Sequence, residues 1–210
     1  MIRTADVTVV IPAHPGRVKN GLLARAVGSV WTQTVVPRGI SLAIDIDREG
    51  APATRQRALD AVPWPSEGGP AWVAFLDSDD YFLPTHLEDL LRHAEDTAAD
   101  FVYSWFKVET NAGTILEEDP IFPATHFTNP FDPNDPIETT ITTLVRTGVA
   151  KSVGFKALDR GQVNTGEDRY FTLGCLNAGV TISHLVKKTW IWAHHGMNTS
   201  GLPTKGDARQ

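Results

Sequence analysis

Apolar and polar positions alternate along the first half of the chain in a way that distinguishes strands from helices. Four short runs of apolar residues, rich in β-branched and aromatic side chains, are typical of strands; they cover residues 7–11, 40–46, 72–76 and 99–108. Between the runs, apolar residues recur three or four positions apart, which predicts amphipathic helices; these begin near Leu22, Pro52 and His86. The alternation predicts a three-layer α/β/α fold of Rossmann-like type, with a mostly parallel central sheet.

The second half of the chain is less regular. Five prolines fall within residues 119–136, which argues against regular structure there. A connection this long is either functional or a plain surface insertion. Residues 139–145 predict a strand, 165–177 a helix opened by a capping box, and 180–186 and 189–192 two short strands.

Composition fits one globular domain over residues 1–210, with a polar tail at 201–210. Lys and Arg number 19 against 25 Asp and Glu, and the net charge of −6 gives no support to a grip on the nucleic-acid backbone.

The single cysteine, Cys175, excludes an internal disulfide and a cysteine-based zinc cluster, and we expect a buried structural thiol. No apolar run is long enough for a membrane-spanning helix, which predicts a soluble, cytoplasmic protein.

Three carboxylates, those of Asp77, Asp79 and Asp80, follow directly after the apolar run 72–76. The carboxyl end of a central strand is where open α/β sheets bind ligands. On a continuing strand Asp77 and Asp79 would share a face, and like charges this close favour a divalent cation between them. The alternative is a solvated acidic turn before a helix that a Thr85–Glu88 capping box would open.

Four segments, in order, resemble the motifs of glycosyltransferase family 2, whose enzymes have the GT-A fold. They are residues 7–14 as the opening strand, 23–34 as the first helix, 75–80 with Pro84 as the metal-binding DxD stretch, and 153–155 with 166–168 as the late segment that carries the catalytic acidic pair. The region between Asp45 and Arg55 is shorter than the family pattern. The choice between Asp45 and Asp47 for the nucleotide therefore stays open.

The resemblance implies a nucleotide-sugar donor, with a UDP-hexose expected. It implies a donor-binding half at 1–110 and an acceptor-side half at 111–200, and we expect residues 119–136 to border the acceptor site. The donor-binding residues that it implies are Pro12, Ala13, His14, Asp45, Asp47, Arg55, Asp77 and Ser78. His14 would stack on the uracil, and the alternative is an ordinary polar loop residue. Arg55 would reach the diphosphate, although an arginine on a helix is more often solvated or in a weak surface ion pair.

The resemblance also implies a cofactor and a catalytic base. Mn²⁺ or Mg²⁺ would be held by Asp79 with Asp77 and by His195, with His194 as the less favoured alternative. Asp168, next to Glu167, would be the general base that takes the acceptor proton in an inverting transfer. The structural alternative is that Asp168 closes a Thr165-x-x-Asp168 capping box.

These observations predict a metal-dependent, inverting glycosyltransferase that moves a hexose to an acceptor hydroxyl of unknown class. One alternative is a phosphatase of the haloacid dehalogenase type, with Asp77 as the nucleophile, although Tyr81 stands where that motif continues with a small hydroxyl residue. A sugar nucleotidyltransferase would need a glycine-rich loop after the first strand, which residues 12–17 do not supply. The remaining alternative is a nucleotide-sugar-binding protein without turnover.

Overall fold

The computed structural model describes residues 3–117, 131–134, 140–155, 167–196 and 198. The strands are β1 (Arg3–Ala13), β2 (Val35–Ile44), β3 (Trp72–Phe75), β4 (Tyr81–Phe82), β5 (Phe101–Glu109), β6 (Ile115–Leu116), β7 (Thr143–Arg146) and β8 (Ile182–Ala193). The helices are α1 (Pro15–Lys19), α2 (Leu22–Trp31), α3 (Ala51–Asp60), α4 (His86–Thr97), α5 (Thr147–Val153) and α6 (Glu167–Asn177). The strands and helices predicted for the first half are confirmed, with shifted ends.

The strands form one sheet in the order β2-β1-β3-β7-β5-β8-β4, with β6 added beside β5. β1 is parallel to β2 and β3, and β8 is parallel to β5. The other described pairings, β3 with β7, β5 with β7, β4 with β8 and β5 with β6, are antiparallel. The predicted α/β class is confirmed, but the sheet is mixed rather than mostly parallel. The cause is β7, which inserts antiparallel between β3 and β5, and an apolar run does not reveal its direction.

Helices cover both faces of the sheet, so the three-layer prediction is confirmed. One face packs Val9 and Ala74 with side chains of α2 and α4. The other face packs Val10 and Val73 with side chains of α3, α5 and α6. All four residues of β3 are buried, as expected for a central strand covered on both sides.

Two local predictions fail, and a short strand was missed. The Thr85–Glu88 capping box is absent, because the Thr85 hydroxyl donates to Asp89 Oδ2 at 2.7 Å and Glu88 accepts from Thr34. Residues 180–186 and 189–192 form one strand, β8, whose register against β5 shifts near Trp105. β4 was not predicted, since two residues carry no periodicity.

Several other expectations fall on parts of the chain that the structure does not describe. The Thr165 end of the predicted capping box, the tail at 201–210 and most of residues 119–136 lie outside the described residues. Cys175 is buried as predicted, and burial raises the pKa of its thiol to about 12. In the part of the chain that is described, no helix is long and apolar enough to cross a membrane.

Candidate functional site

A cavity of about 450 Å³ lies at the carboxyl ends of β1, β2 and β3. These three strands are parallel neighbours, so their ends meet at one edge of the sheet, where α/β proteins bind ligands. Most of the predicted site residues line the cavity: Pro12, Ala13, His14, Asp45, Arg55, Asp77, Ser78, Asp79 and Glu167. Asp47, Asp168 and His195 do not line it, and Arg17, which was not predicted, does.

The surroundings of Asp45 and Asp47 distinguish the two residues. Asp45 is buried, and its carboxylate accepts hydrogen bonds from the backbone N–H of Glu49 at 2.8 Å and of Gly50 at 3.0 Å. It thereby shapes the loop that leads into α3, where Gly50 has φ +92°. Asp47 is exposed and does not line the cavity. Of the two alternatives, only Asp45 is placed to meet a ligand in the cavity.

Arg55, Asp77 and Glu167 form a cluster around one buried arginine, called the buried triad below; the Asp77 and Glu167 side chains are 34% and 18% exposed. The Arg55 side chain is 2% exposed; its Nη2 lies 2.6 Å from Asp77 Oδ1, and its Nη1 contacts Glu167 Oε1. The guanidinium also lies over the Phe155 ring, 5.3 Å from the centroid. The alternative of a solvated helix arginine is therefore wrong. The fold holds Arg55 as a fixed cation between two acids.

Burial sets the electrostatics of the buried triad. Burial raises the pKa of Asp77 and of Glu167, and the neighbouring Arg55 charge opposes both shifts. The pKa of Arg55 itself is raised, because the attraction of Asp77 and Glu167 outweighs a burial effect in the opposite direction. Oε2 of Glu167 is buried without a hydrogen-bond partner among the described residues. The triad thus keeps one acceptor oxygen available.

Asp79, Arg17 and His195 form an edge cluster at the mouth of the cavity. Asp79 Oδ2 lies 2.9 Å from His195 Nε2 and 3.0 Å from Arg17 Nη2. Arg17 Nη1 lies 3.4 Å from His195 Nδ1. His194 is buried, with its ring 4.6 Å from that of Trp192. The structure therefore brings His195 to the DxD stretch, and His194 has a packing role.

Asp77 and Asp79 do not share a face, because β3 ends at Phe75 and a turn follows. Asp77 faces Arg55, whereas Asp79 faces Arg17 and His195. Among the described residues no group of three or more His, Cys, Asp and Glu side chains is arranged to hold a metal ion. Asp79 and His195 offer one oxygen and one nitrogen donor. Such a pair suits a cation that takes its other ligands from phosphate and water, as Mg²⁺ and Mn²⁺ do.

Asp80 connects the DxD turn to the end of β8. Its buried Oδ1 accepts a hydrogen bond from Ala193 N–H at 3.0 Å, two residues before His195. Burial, followed by the charges of Asp79 and Asp77, raises the pKa of Asp80 well above its usual value. The sequence showed Asp80 only as the third carboxylate after the apolar run. Its tertiary contact shows a positioning role that no local pattern could reveal.

The two acids at the start of α6, Glu167 and Asp168, have different surroundings, as Asp45 and Asp47 do. Glu167 lines the cavity and is ion-paired with Arg55. Asp168 is half-buried, and its Oδ1 accepts a hydrogen bond from Arg169 N–H at 2.8 Å. Within the described ranges Asp168 forms no ion pair. Its carboxylate can therefore accept a proton without first giving up a cation.

Arg17 is the site residue that sequence reasoning missed. It lies on α1, in the loop that follows β1, and reaches across the strand ends to Asp79. The only signal available was its place after the opening strand, in the loop expected to hold the donor base. A basic residue in such a loop is common on any surface, so the sequence alone could not single it out.

The fold and the site together describe an α/β protein whose cavity, lined by acids and arginines, lies at the carboxyl ends of parallel strands. The model of the family "Glycosyl transferase family 2" matches residues 47–161, more than half of the sequence. The chain belongs to this family, and the prediction of a glycosyltransferase is confirmed at that level. The phosphatase alternative loses its support.

Solved structures share the fold. S. aureus TarS 1–349 in complex with UDP superposes with a TM-score of 0.64 at 18% identity, covering 90% of this chain and 60% of that one. The same protein in complex with UDP-GlcNAc gives 0.65 at 16% identity, covering 90% and 58%. This chain therefore spans about three fifths of that TarS fragment. The likeness confirms the GT-A fold. No curated protein sequence matches the chain.

Proposed function

We propose that this chain transfers a hexose from a UDP-sugar to an acceptor hydroxyl, with a divalent cation and with inversion at the anomeric carbon. The observation that carries the proposal is the cavity at the ends of β1, β2 and β3, into which the DxD turn and the acidic start of α6 both project. Family membership and a fold shared with a protein solved with UDP and UDP-GlcNAc support the choice of donor.

Each part of such a donor has a partner in the cavity. His14 stands exposed at the mouth, where its ring can stack on a uracil face. Pro12, Ala13 and Asp45 form the wall beside it, and the Asp45 carboxylate can accept hydrogen bonds from the base or the ribose. Arg17 lines the diphosphate side as a fork of N–H donors that matches phosphate geometry.

Arg55 was expected to contact the diphosphate, and we propose a different role for it. Because both of its ends are held by Asp77 and Glu167, it orders the floor of the cavity and contributes positive charge from a fixed position. We therefore assign diphosphate contact first to Arg17. Arg55 keeps the start of α6 in place beside the DxD turn.

Asp79 and His195 would hold the cation, which when bound would act as a Lewis acid on the charge that builds on the departing diphosphate. Asp168 would accept the proton of the acceptor hydroxyl while that oxygen forms its bond to the anomeric carbon. On the opposite side, the bond from the anomeric carbon to the diphosphate oxygen breaks, and UDP leaves with the electron pair. Glu167 fixes the position of Asp168 through its ion pair with Arg55.

The test is release of nucleoside diphosphate from a panel of nucleotide sugars, with Mn²⁺, with Mg²⁺ and with EDTA. We expect release from a UDP-hexose that requires the metal and falls in Asp79→Ala. In Asp168→Asn we expect a fall of about 10²–10⁴-fold, the usual contribution of a general base. Asp47→Ala is the matched control, since this acid is exposed and has no role in the proposed transfer, so the rate should be unchanged.

The outcomes separate the alternatives. Metal-dependent binding of UDP without release from any donor, even with added acceptors, would favour a nucleotide-sugar-binding protein over an enzyme. Release that is insensitive to EDTA would contradict the metal assignment while leaving the transferase in place. Binding of no nucleotide at all would contradict the proposed function as a whole.

A further inference from the structure

One guanidinium contacts both side chains that we assign to the metal. Arg17 Nη2 lies 3.0 Å from Asp79 Oδ2, the oxygen that His195 Nε2 also meets at 2.9 Å, and Arg17 Nη1 lies 3.4 Å from His195 Nδ1. We propose that Arg17 is an exchangeable placeholder cation that holds Asp79 and His195 in the free protein and moves to the donor diphosphate on binding. The inference rests on the proposed function and adds to it a coupling between metal and donor.

The two contacts of Arg17 act against metal binding in different ways. On Asp79, the guanidinium already satisfies the carboxylate charge, so an incoming cation must displace it. On His195, Nδ1 faces a group that can only donate, so Nδ1 accepts and Nε2 carries the proton that it donates to Asp79. Nε2 then has no free lone pair for a metal, because ligation needs a bare ring nitrogen. Departure of Arg17 allows the proton to move to Nδ1 and frees Nε2.

Exposure distinguishes Arg17 from Arg55, the other arginine that lines the cavity. The Arg17 side chain is 16% exposed, whereas that of Arg55 is 2% exposed and lies between two carboxylates. A partly hydrated ion pair exchanges partners at a far lower desolvation cost than a buried one. Arg17 can therefore leave Asp79, and a diphosphate offers the guanidinium a bidentate partner of higher charge.

The helix that carries Arg17 is also not part of the hydrophobic core. α1 has five residues and none of them is buried. It is bounded by His14, whose Nδ1 accepts from Gly16 N–H at 3.1 Å, and by Gly21 with φ +82°. A short helix that contributes no buried residue to the core can shift its side chains at little cost to the packed sheet. A donor base stacked on His14 would bear directly on the start of this helix.

The test is a binding cycle on the intact chain, measured by calorimetry with Mn²⁺ and UDP, each alone and each in the presence of the other. In the wild type we expect UDP and Mn²⁺ to raise one another's affinity by the same factor, on the order of 10- to 100-fold. In Arg17→Gln we expect Mn²⁺ alone to bind several-fold tighter, because its competitor is gone. The factor by which UDP and Mn²⁺ raise one another's affinity should fall by roughly tenfold. In wild type the first ligand to bind displaces Arg17 and so helps the second, and this help is absent in the variant.

Two further variants make the result specific. Arg17→Lys keeps the charge but has no fork to meet Asp79 and His195 together, so its affinity for Mn²⁺ alone should lie between those of wild type and Arg17→Gln. Arg38→Gln removes an equal charge from the far end of β2, where Arg38 pairs with Asp6 at 2.7 Å, and should behave as wild type. Thermal melts of each variant confirm folding.

The outcomes distinguish the two proposals. If Arg17→Gln binds Mn²⁺ no tighter than wild type, or keeps the full mutual factor while wild type binds both ligands, the placeholder role is wrong and the proposed function stands. If the wild type binds neither UDP nor Mn²⁺ under any of these conditions, the proposed function fails and the placeholder role fails with it.

Discussion

The cavity contains two clusters in which an arginine meets an acid of the DxD stretch, and the two arginines differ in burial. In the buried triad, Arg55 lies between Asp77 and Glu167 with its side chain 2% exposed. In the edge cluster, Arg17 contacts Asp79 and His195 with its side chain 16% exposed. Both arginines meet one aspartate of the same DxD stretch, and the turn that follows β3 directs the two aspartates apart.

Because their arginines differ in burial, the two clusters are suited to different roles. A buried ion pair is costly to break, because the remaining charge stays without water. A partly exposed pair contributes little to stability and exchanges its partners readily. The buried triad is therefore suited to holding α3, the DxD turn and α6 in fixed relation. The edge cluster is suited to releasing its groups to a ligand.

The largest effect is expected from removing the cation of the buried triad. Arg55→Ala leaves Asp77 and Glu167, which are only partly buried, without their counter-charge, and we expect the free energy of unfolding to fall by up to about 3–5 kcal/mol. Arg57→Ala, two positions further along α3, is the matched control: its side chain is 43% exposed and pairs with Glu49 at 2.5 Å. Denaturant titration measures both. Equal losses in the two variants would contradict the contrast between buried and exposed arginines.

A smaller effect is expected where Asp80 joins the DxD turn to β8. Asp80→Ala leaves the buried N–H of Ala193 without its acceptor, at a cost of about 1–3 kcal/mol in unfolding free energy. Because this contact also positions His195, the affinity for Mn²⁺ in the presence of UDP should weaken. Asp80→Asn keeps an acceptor oxygen and should restore most of both properties. A full loss in the Asn variant would show that the charge, and not the hydrogen bond, is required.

The same residue makes a prediction about pH. Burial and the nearby acids raise the pKa of Asp80 in the folded protein above its unfolded value of 3.8. Its contribution to stability is therefore fully present below pH 3.8 and is lost as pH rises through the higher folded pKa. Asp80→Asn lacks this titration, so its stability relative to wild type should improve as pH rises from 4 upward. Denaturant titrations across that range measure the trend, and a constant difference would contradict the raised pKa.

The smallest effect on stability is expected in the edge cluster. Arg17→Ala removes a partly exposed ion pair on a helix without core contacts, and we expect a change of less than about 1 kcal/mol in unfolding free energy. The binding of Mn²⁺ alone should nevertheless change several-fold in the same variant. Thermal and denaturant melts measure the first quantity. A loss as large as that of Arg55→Ala would show that both clusters are structural.

Much of the fold could be predicted because its signals are local. The apolar runs of β1, β2, β3 and β5 and the helical stripes of α2 and α4 are set by the side chains that each segment must bury. The direction of β7 and the two-residue strand β4 could not be predicted, since both follow from pairing with distant strands. The capping box at Thr85 failed because Thr85 bonds to Asp89, one turn further along α4, and Glu88 bonds to the distant Thr34.

By itself, the sequence determined the order of the elements, the position of three carboxylates at the end of a buried strand, and a late acidic pair. Only the tertiary structure distinguished neighbouring residues of the same type. It places Asp45 and not Asp47 at the cavity, and His195 and not His194 beside Asp79. It likewise pairs Arg55 with Glu167 and not with Asp168. It also brought Arg17 into the site. Residues one or two positions apart carry the same chemistry in the sequence. What separates them is the direction of each side chain, which is set by turns and by packing against elements far away in the chain.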